Sequence, residues 1–129
     1  MHLIYQTHSP FARKVLVFAH EAGLADRLRV QHQETSPTNR NDSVFAVNPL
    51  GKVPVLVLPD GEVILDSGAI CDHLDTLSTI RLIPEHGGAR RVALRLQALA
   101  HGSAMPASRC DGRPSDGLNR SATSRSPRE

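Results

Sequence analysis

The chain has 129 residues, 40% of them hydrophobic, 22% charged and only 3% aromatic, with a formal net charge of +2; that suffices for one domain, or one domain and part of another, around an aliphatic core. Two cysteines, Cys71 and Cys110, make no disulfide framework and point to a reducing, cytoplasmic compartment. No apolar run approaches the ~20 residues of a membrane span, and "MHLIYQTHSPFARK" has no charged segment ahead of an apolar one, so neither a membrane anchor nor a signal peptide is expected.

"HLIYQ" (2–6) is a short β-branched and aromatic run and predicts a strand. Ser9 is a good helix N-cap and Pro10 suits the first helical position. Phe11, Val15, Phe18 and Ala22 then recur at helical spacing, and Gly23 ends the helix. "RLRVQHQ" (27–33) alternates Leu28, Val30 and His32 with polar residues, the pattern of a half-buried strand. A polar loop (34–42) leads to one or two helical turns in "SVFAVNP" (43–49), stopped by Asn48-Pro49. In "GKVPVLVLPDGEVILD" (51–66) two apolar runs flank Pro-Asp-Gly, a hairpin signal. Asp66-Ser67 opens another helix, with Ile70, Leu74 and Leu77 on one face. The order is α/β: a βαβ unit, a short helix, a hairpin and a helix, which predicts a small mixed sheet with helices packed on it.

A linker (81–88) precedes "ARRVALRLQALAH" (89–101), a helix with Val92, Leu96 and Leu99 on one stripe. Residues 102–129 hold six Ser, three Gly, three Pro and five Arg, with no periodicity, and are expected to be disordered. Charge divides the same way. Residues 1–80 carry six Lys/Arg and nine Asp/Glu, a net of −3, and residues 81–129 nine Arg and four acids, a net of +5. Those arginines are scattered among Ser, Gly and Pro with no aromatic side chain to stack a base, so nucleic acid is not the expected partner.

Three segments bear on chemistry: "SPFARKV" at the first strand-to-helix turn, "NPLGKVPVL" before the hairpin, and "LDSGAICDHL" at the later helix. Together, in this order and spacing, they resemble the N-terminal, thioredoxin-like domain of glutathione S-transferases, over roughly residues 1–80. The resemblance implies a thioredoxin-like βαβ-α-ββα sandwich, followed by helices of an incomplete all-α domain. It also implies a cis Val53-Pro54 bond, with the Val53 backbone turned out to pair with an extended peptide; the tripeptide alone favours a proline that starts an edge strand, and the other motifs reverse that preference.

The peptide implied is glutathione, as co-substrate. Asp66 and Ser67 would meet its γ-glutamyl end, Ser67 through its hydroxyl and the helix N-terminus, Asp66 through the ammonium group. Asp is one methylene shorter than the Glu usual in the family. Lys52 would meet the glycyl carboxylate, or be a solvated loop lysine. Ser9 would be the catalytic residue, its hydroxyl donating to the sulfur and favouring the thiolate; its other reading is a plain helix cap. Tyr5 is a rival, four residues earlier in the strand. Arg13 and Lys14 raise the local positive potential or form a solvated helix face.

Redox relatives carry Cys-Pro-aromatic-Cys where this chain has "SPFA", so dithiol exchange is not expected here, and Cys71 is expected to be buried packing. Histidines at 2, 8, 20, 32, 73, 86 and 101 include no i, i+4 pair, and no metal is expected. His8 is expected to be an exposed loop residue.

Complete family members have a second, all-helical domain, of which one helix is recognisable here. The expectation is therefore a truncated domain, and GC-rich codons for the tail, read two bases on, permit a helical continuation, as a change of reading frame near residues 102–108 would produce. The expected function is binding of glutathione and activation of its thiol for attack on a small electrophile, with activity dependent on the missing part and a homodimer as the family's usual state. The alternative is a non-catalytic glutathione- or thiol-peptide-binding or regulatory module.

Overall fold

The computed structural model describes residues 1–36 and 38–104. Its elements are β1 (His2–Tyr5), α1 (Pro10–Glu21), a 3-10 turn (Ala25–Arg27), β2 (Arg29–His32), α2 (Asp42–Val47), β3 (Val55–Val57), β4 (Val63–Leu65), α3 (Ser67–Leu77) and α4 (Gly87–Ala104). The sheet order is β2-β1-β3-β4. β1 runs parallel to β2, and the pairs β1/β3 and β3/β4 are antiparallel. This is the mixed four-stranded sheet expected of a thioredoxin-like fold.

Alternation along the strands makes three layers. Leu3 and Leu56, paired across β1 and β3, face one side and pack with Val15, Ala19, Ile70 and Leu74 of α1 and α3. Their neighbours Ile4 and Val55, also paired, face the other side and meet Val44 of α2. Leu3, Leu56, Ile70 and Leu74 are fully buried, each stabilising the fold by about 1.5–3 kcal/mol relative to exposure.

On α1 Val15 and Ala22 are buried as the sequence reads, while Ala12 and Ala19 stand in the core where Phe11 and Phe18 were expected. Small alanines occupy the face toward α3, and Phe11 turns to the rim instead. Gly23 takes φ 68, and the chain reverses there with Leu24 N–H bonded to the Ala19 carbonyl at 2.8 Å; glycine enters this left-handed region without strain.

Two expectations change. β2 is exposed along its whole length, with Val30 at 43%. It is an edge strand whose one extensive neighbour is β1, so alternation there does not bring burial, and only Leu28 beneath it reaches the core. The last helix is longer than 89–101. It begins at Gly87 and continues through Gly102, Ser103 and Ala104, since adding residues to a formed helix is cheap compared with nucleating one. The rest of the tail expectation, residues 105–129 with Cys110, lies outside the described residues.

The segment between α3 and α4 is pinned. Asp75, 2% exposed, accepts from the backbone N–H of Leu82 (2.7 Å) and Ile83 (3.3 Å) and pairs with Arg81. Arg90 of α4 reaches Asp72 of α3 at 2.8 Å and the Pro84 carbonyl at 3.2 Å. α4 itself buries no residue.

Candidate functional site

The β1–α1 turn is built by Ser9. Its N–H donates to the Gln6 carbonyl at 3.1 Å, and its Oγ accepts from Ala12 N–H at 3.2 Å. The hydroxyl proton takes no part in that cap and is available to an acceptor outside the helix. Ser9 is half-buried, whereas His8 before it is exposed.

The loop after α2 brings up the second wall. Asn48, 4% exposed, donates from Nδ2 to the Lys52 carbonyl at 2.8 Å and accepts from Leu50 N–H at 3.0 Å. Gly51, at φ 61, lies against the Phe45 ring, where a Cβ would collide. The Val53-Pro54 bond that follows is cis. Among the described residues, the Val53 backbone makes no hydrogen bond outside the sheet ladder.

The third wall is the start of α3. Asp66 Oδ1 accepts from Gly68 N–H at 2.6 Å and from Ala69 N–H at 3.4 Å. Asp66 sits at φ 74, ψ 132, and is the one non-glycine residue with positive φ among those described. Such a conformation costs about 1–3 kcal/mol and clusters at functional sites. Ser67 beside it is buried.

These walls enclose two adjoining hollows. The inner one, about 340 Å³, is lined by Lys52, Val53, Pro54, Asp66, Ser67 and His101, among others. The outer one, about 620 Å³, includes Ser9, Gln6, Arg40 and Phe45. Phe11, Leu50, Lys52 and Val53 border both. All six residues singled out from the sequence therefore lie on one continuous groove, five in the inner part and Ser9 across the shared wall. Tyr5 borders neither hollow and instead packs edge-on to His32, with ring centroids 5.4 Å apart.

Among the groove residues that went unmarked in the sequence are Phe11, Arg40 and His101. Phe11 looked like core. Arg40 stacks over the Phe45 ring at 4.0 Å while pairing with Asp42 at 2.7 Å, so its guanidinium is held at the outer hollow. His101 arrives from α4, and nothing local to its own sequence could place it there.

Electrostatics follow from burial. Lys14, close to the inner hollow, has its pKa lowered by desolvation, a shift opposed by Cys71 and Asp66. Burial pushes the Cys71 thiol up to about 11, against the pull of Lys14, and Asp66 raises it further. Cys71 is thus a neutral packing thiol at pH 7. No cluster of metal-ligating side chains occurs among the described residues, and no helix there is long and apolar enough to cross a membrane. The groove gathers two cations (Lys52, Arg40), the backbone of Val53, and a carboxylate and hydroxyl at the N-terminus of α3.

Comparison with known proteins agrees. Residues 8–77, more than half the chain, match the family model "Glutathione S-transferase, N-terminal domain". The chain is 31% identical over 103 residues to an uncharacterized GST-like protein, YibF, of Escherichia coli K12, a match covering 79% of this chain and 49% of that protein. It is 33% identical over 89 residues to a probable glutathione S-transferase, BZ2, of Zea mays, covering 68% and 34% respectively. The chain thus spans half or less of these relatives' length. Among solved structures, a glutathione transferase family member from Pseudomonas fluorescens Pf-5 with bound glutathione superposes with TM-score 0.77 at 40% identity, covering 80% of this chain and 51% of that one. A glutathione S-transferase from Methylobacillus flagellatus with glutathione bound gives 0.65 at 40% identity, covering 78% and 48%. Motifs, fold, groove and relatives converge, and the chain belongs to the glutathione S-transferase N-terminal domain family.

Proposed function

We propose that residues 1–80 form a glutathione-binding domain, that α4 opens a second helical unit, and that Ser9 activates the bound thiol for attack on a small electrophile. The observation that carries this reading is the convergence of Ser9, Lys52, Val53, Pro54, Asp66 and Ser67, from three separate segments, on one groove. Lys52, with Arg40 behind it, takes the glycyl carboxylate by charge. The Val53 N–H and C=O pair with the cysteinyl backbone as an added strand would. Ser67 and the N-terminus of α3 hold the γ-glutamyl carboxylate, and Asp66, its Oδ1 spent on capping, offers Oδ2 to the ammonium group.

A free thiol has a pKa near 8.5. At the groove its sulfur lies by Ser9, whose hydroxyl proton is free to bond it, and by the positive end of α1. Both favour the thiolate, and helix N-termini with such donors bring thiol pKa values to about 7 or below. The thiol proton passes to solvent, and the thiolate attacks an electrophilic carbon at the outer hollow, between Phe11 and Phe45, forming the S–C bond as the carbon's bond to its leaving group breaks and that group departs with the electron pair.

The test is a glutathione titration by calorimetry together with a conjugation assay on a generic electrophile. Wild type is expected to bind and turn over. Ser9→Ala is expected to bind but lose kcat/KM about 100-fold, the scale of one preorganised hydrogen bond to developing charge. Binding with no turnover in either protein supports a non-catalytic glutathione-binding module instead. Absence of binding refutes both readings.

A further inference from the structure

Where α1, α3 and α4 meet, three polar side chains cluster at the inner hollow. His101 Nε2 lies 3.0 Å from Lys14 Nζ and 3.2 Å from Ser67 Oγ. Its ring stands edge-on to Phe11, centroids 5.1 Å apart, and lines the inner hollow. An ammonium can only donate. Nε2 therefore accepts from Lys14, bears no proton, and leaves the imidazole neutral with its hydrogen on Nδ1. The Ser67 hydroxyl, facing the same lone pair, is a second donor to it. Two donors thus converge on one point in the groove, and a ring nitrogen occupies that point.

A neutral imidazole is a weak partner for an ammonium drawn partly out of water. Lys14 forms no ion pair among the described residues. The other titratable groups facing it are Asp66 and Cys71. Asp66 is committed to the α3 N–H groups, and Cys71 is a buried, neutral thiol. A carboxylate oxygen placed at the Nε2 position would lie within hydrogen-bond reach of both Nζ and Oγ and would bring the missing charge. Little holds His101 in its way: α4 buries no residue, so moving the ring exposes little apolar surface.

We propose that Lys14 Nζ joins the Ser67 hydroxyl, assigned above, in holding the α-carboxylate of the γ-glutamyl arm, and that His101 is a built-in stand-in which the ligand displaces. This deepens, and rests on, the glutathione reading above.

The test is calorimetry on the full chain with two ligands: glutathione, and the analogue in which a 4-aminobutyryl group replaces the γ-glutamyl arm, keeping the amine and losing the α-carboxylate. Wild type is expected to prefer glutathione, and Lys14→Met to cut that preference about tenfold or more, the scale of a charge-assisted hydrogen bond. His101→Ala removes the competitor. It is expected to bind glutathione several-fold more tightly and the analogue unchanged. Should Lys14→Met fail to fold, the sign of the His101→Ala effect decides the matter. If the preference survives in Lys14→Met, or His101→Ala weakens glutathione binding, the inference is overturned while the glutathione reading stands. If wild type binds neither ligand, that reading fails and the inference with it.

Discussion

Replacing Asp66 separates its structural role from its binding role. The side chain caps α3 through Gly68 N–H at 2.6 Å and Ala69 N–H at 3.4 Å, from a backbone at φ 74. Alanine keeps the backbone strain and loses the cap, which costs about 1 kcal/mol. Glycine also loses the side-chain cap, but Gly itself is a tolerable capping residue and costs only a few tenths. Relief of a strain of about 1–3 kcal/mol then outweighs the ~0.5–1 kcal/mol of extra chain entropy that glycine loses on folding. Asp66→Gly is therefore expected to be more stable than Asp66→Ala by about 1–2 kcal/mol, a larger gap than the difference in capping alone. At ~4–8 °C per kcal/mol for a domain of this size, thermal unfolding followed by circular dichroism resolves the difference. Both variants lack the carboxylate for the ligand's ammonium group, so both are expected to bind glutathione equally weakly. An Ala variant as stable as the Gly variant would refute the argument that Asp66 is strained in place.

Gly51→Ala forces φ 61 on a residue with a Cβ and drives that Cβ into the Phe45 ring. A loss of about 1–3 kcal/mol is expected, and the steric part should return in the Gly51→Ala, Phe45→Ala double variant, measured by denaturant melts. Leu74, fully buried between α3 and the sheet, is expected to cost about 2–5 kcal/mol when cut to alanine, enough to leave much of the chain unfolded at 37 °C. Cys71 titrates at about 11 in the folded chain, against 9.0 for its ordinary value. Its contribution to stability is full below about pH 9 and falls as pH rises from 9 to 11, because the unfolded chain gives up the proton first. Lys14, its pKa lowered, acts with the opposite sign, so the Cys71 effect is read as the pH dependence of the difference in melting temperature between wild type and Cys71→Ala: that difference should be constant below about pH 8 and move against wild type from pH 9 to 11.

What the sequence made legible was what short segments decide among themselves. The Ser9-Pro10 start of α1, the Pro-Asp-Gly hairpin and the Asp66 cap each form within a few residues, and each stands where the pattern puts it. The three motif segments also carried the groove, since each contributes a wall from its own turn. What was not legible depends on how elements settle on one another. Alternation in β2 reads as half-buried, yet an edge position leaves Val30 in solvent. Phe11 and Phe18 look alike at helical spacing, but close approach of α1 to α3 selects the alanines for the core and leaves Phe11 to the groove. His101 is 34 residues from Ser67 and 87 from Lys14, and only the docking of α4 brings the three together. The positive φ of Asp66 has no signature in the letter itself.

The central claim is that this groove turns glutathione into a thiolate at neutral pH, and the most direct test is the ultraviolet thiolate absorbance of bound glutathione titrated against pH. The account predicts a midpoint below the free thiol's ~8.5 in wild type, returning toward it in Ser9→Ala. A bound thiol that titrates at its free value in both proteins would contradict it.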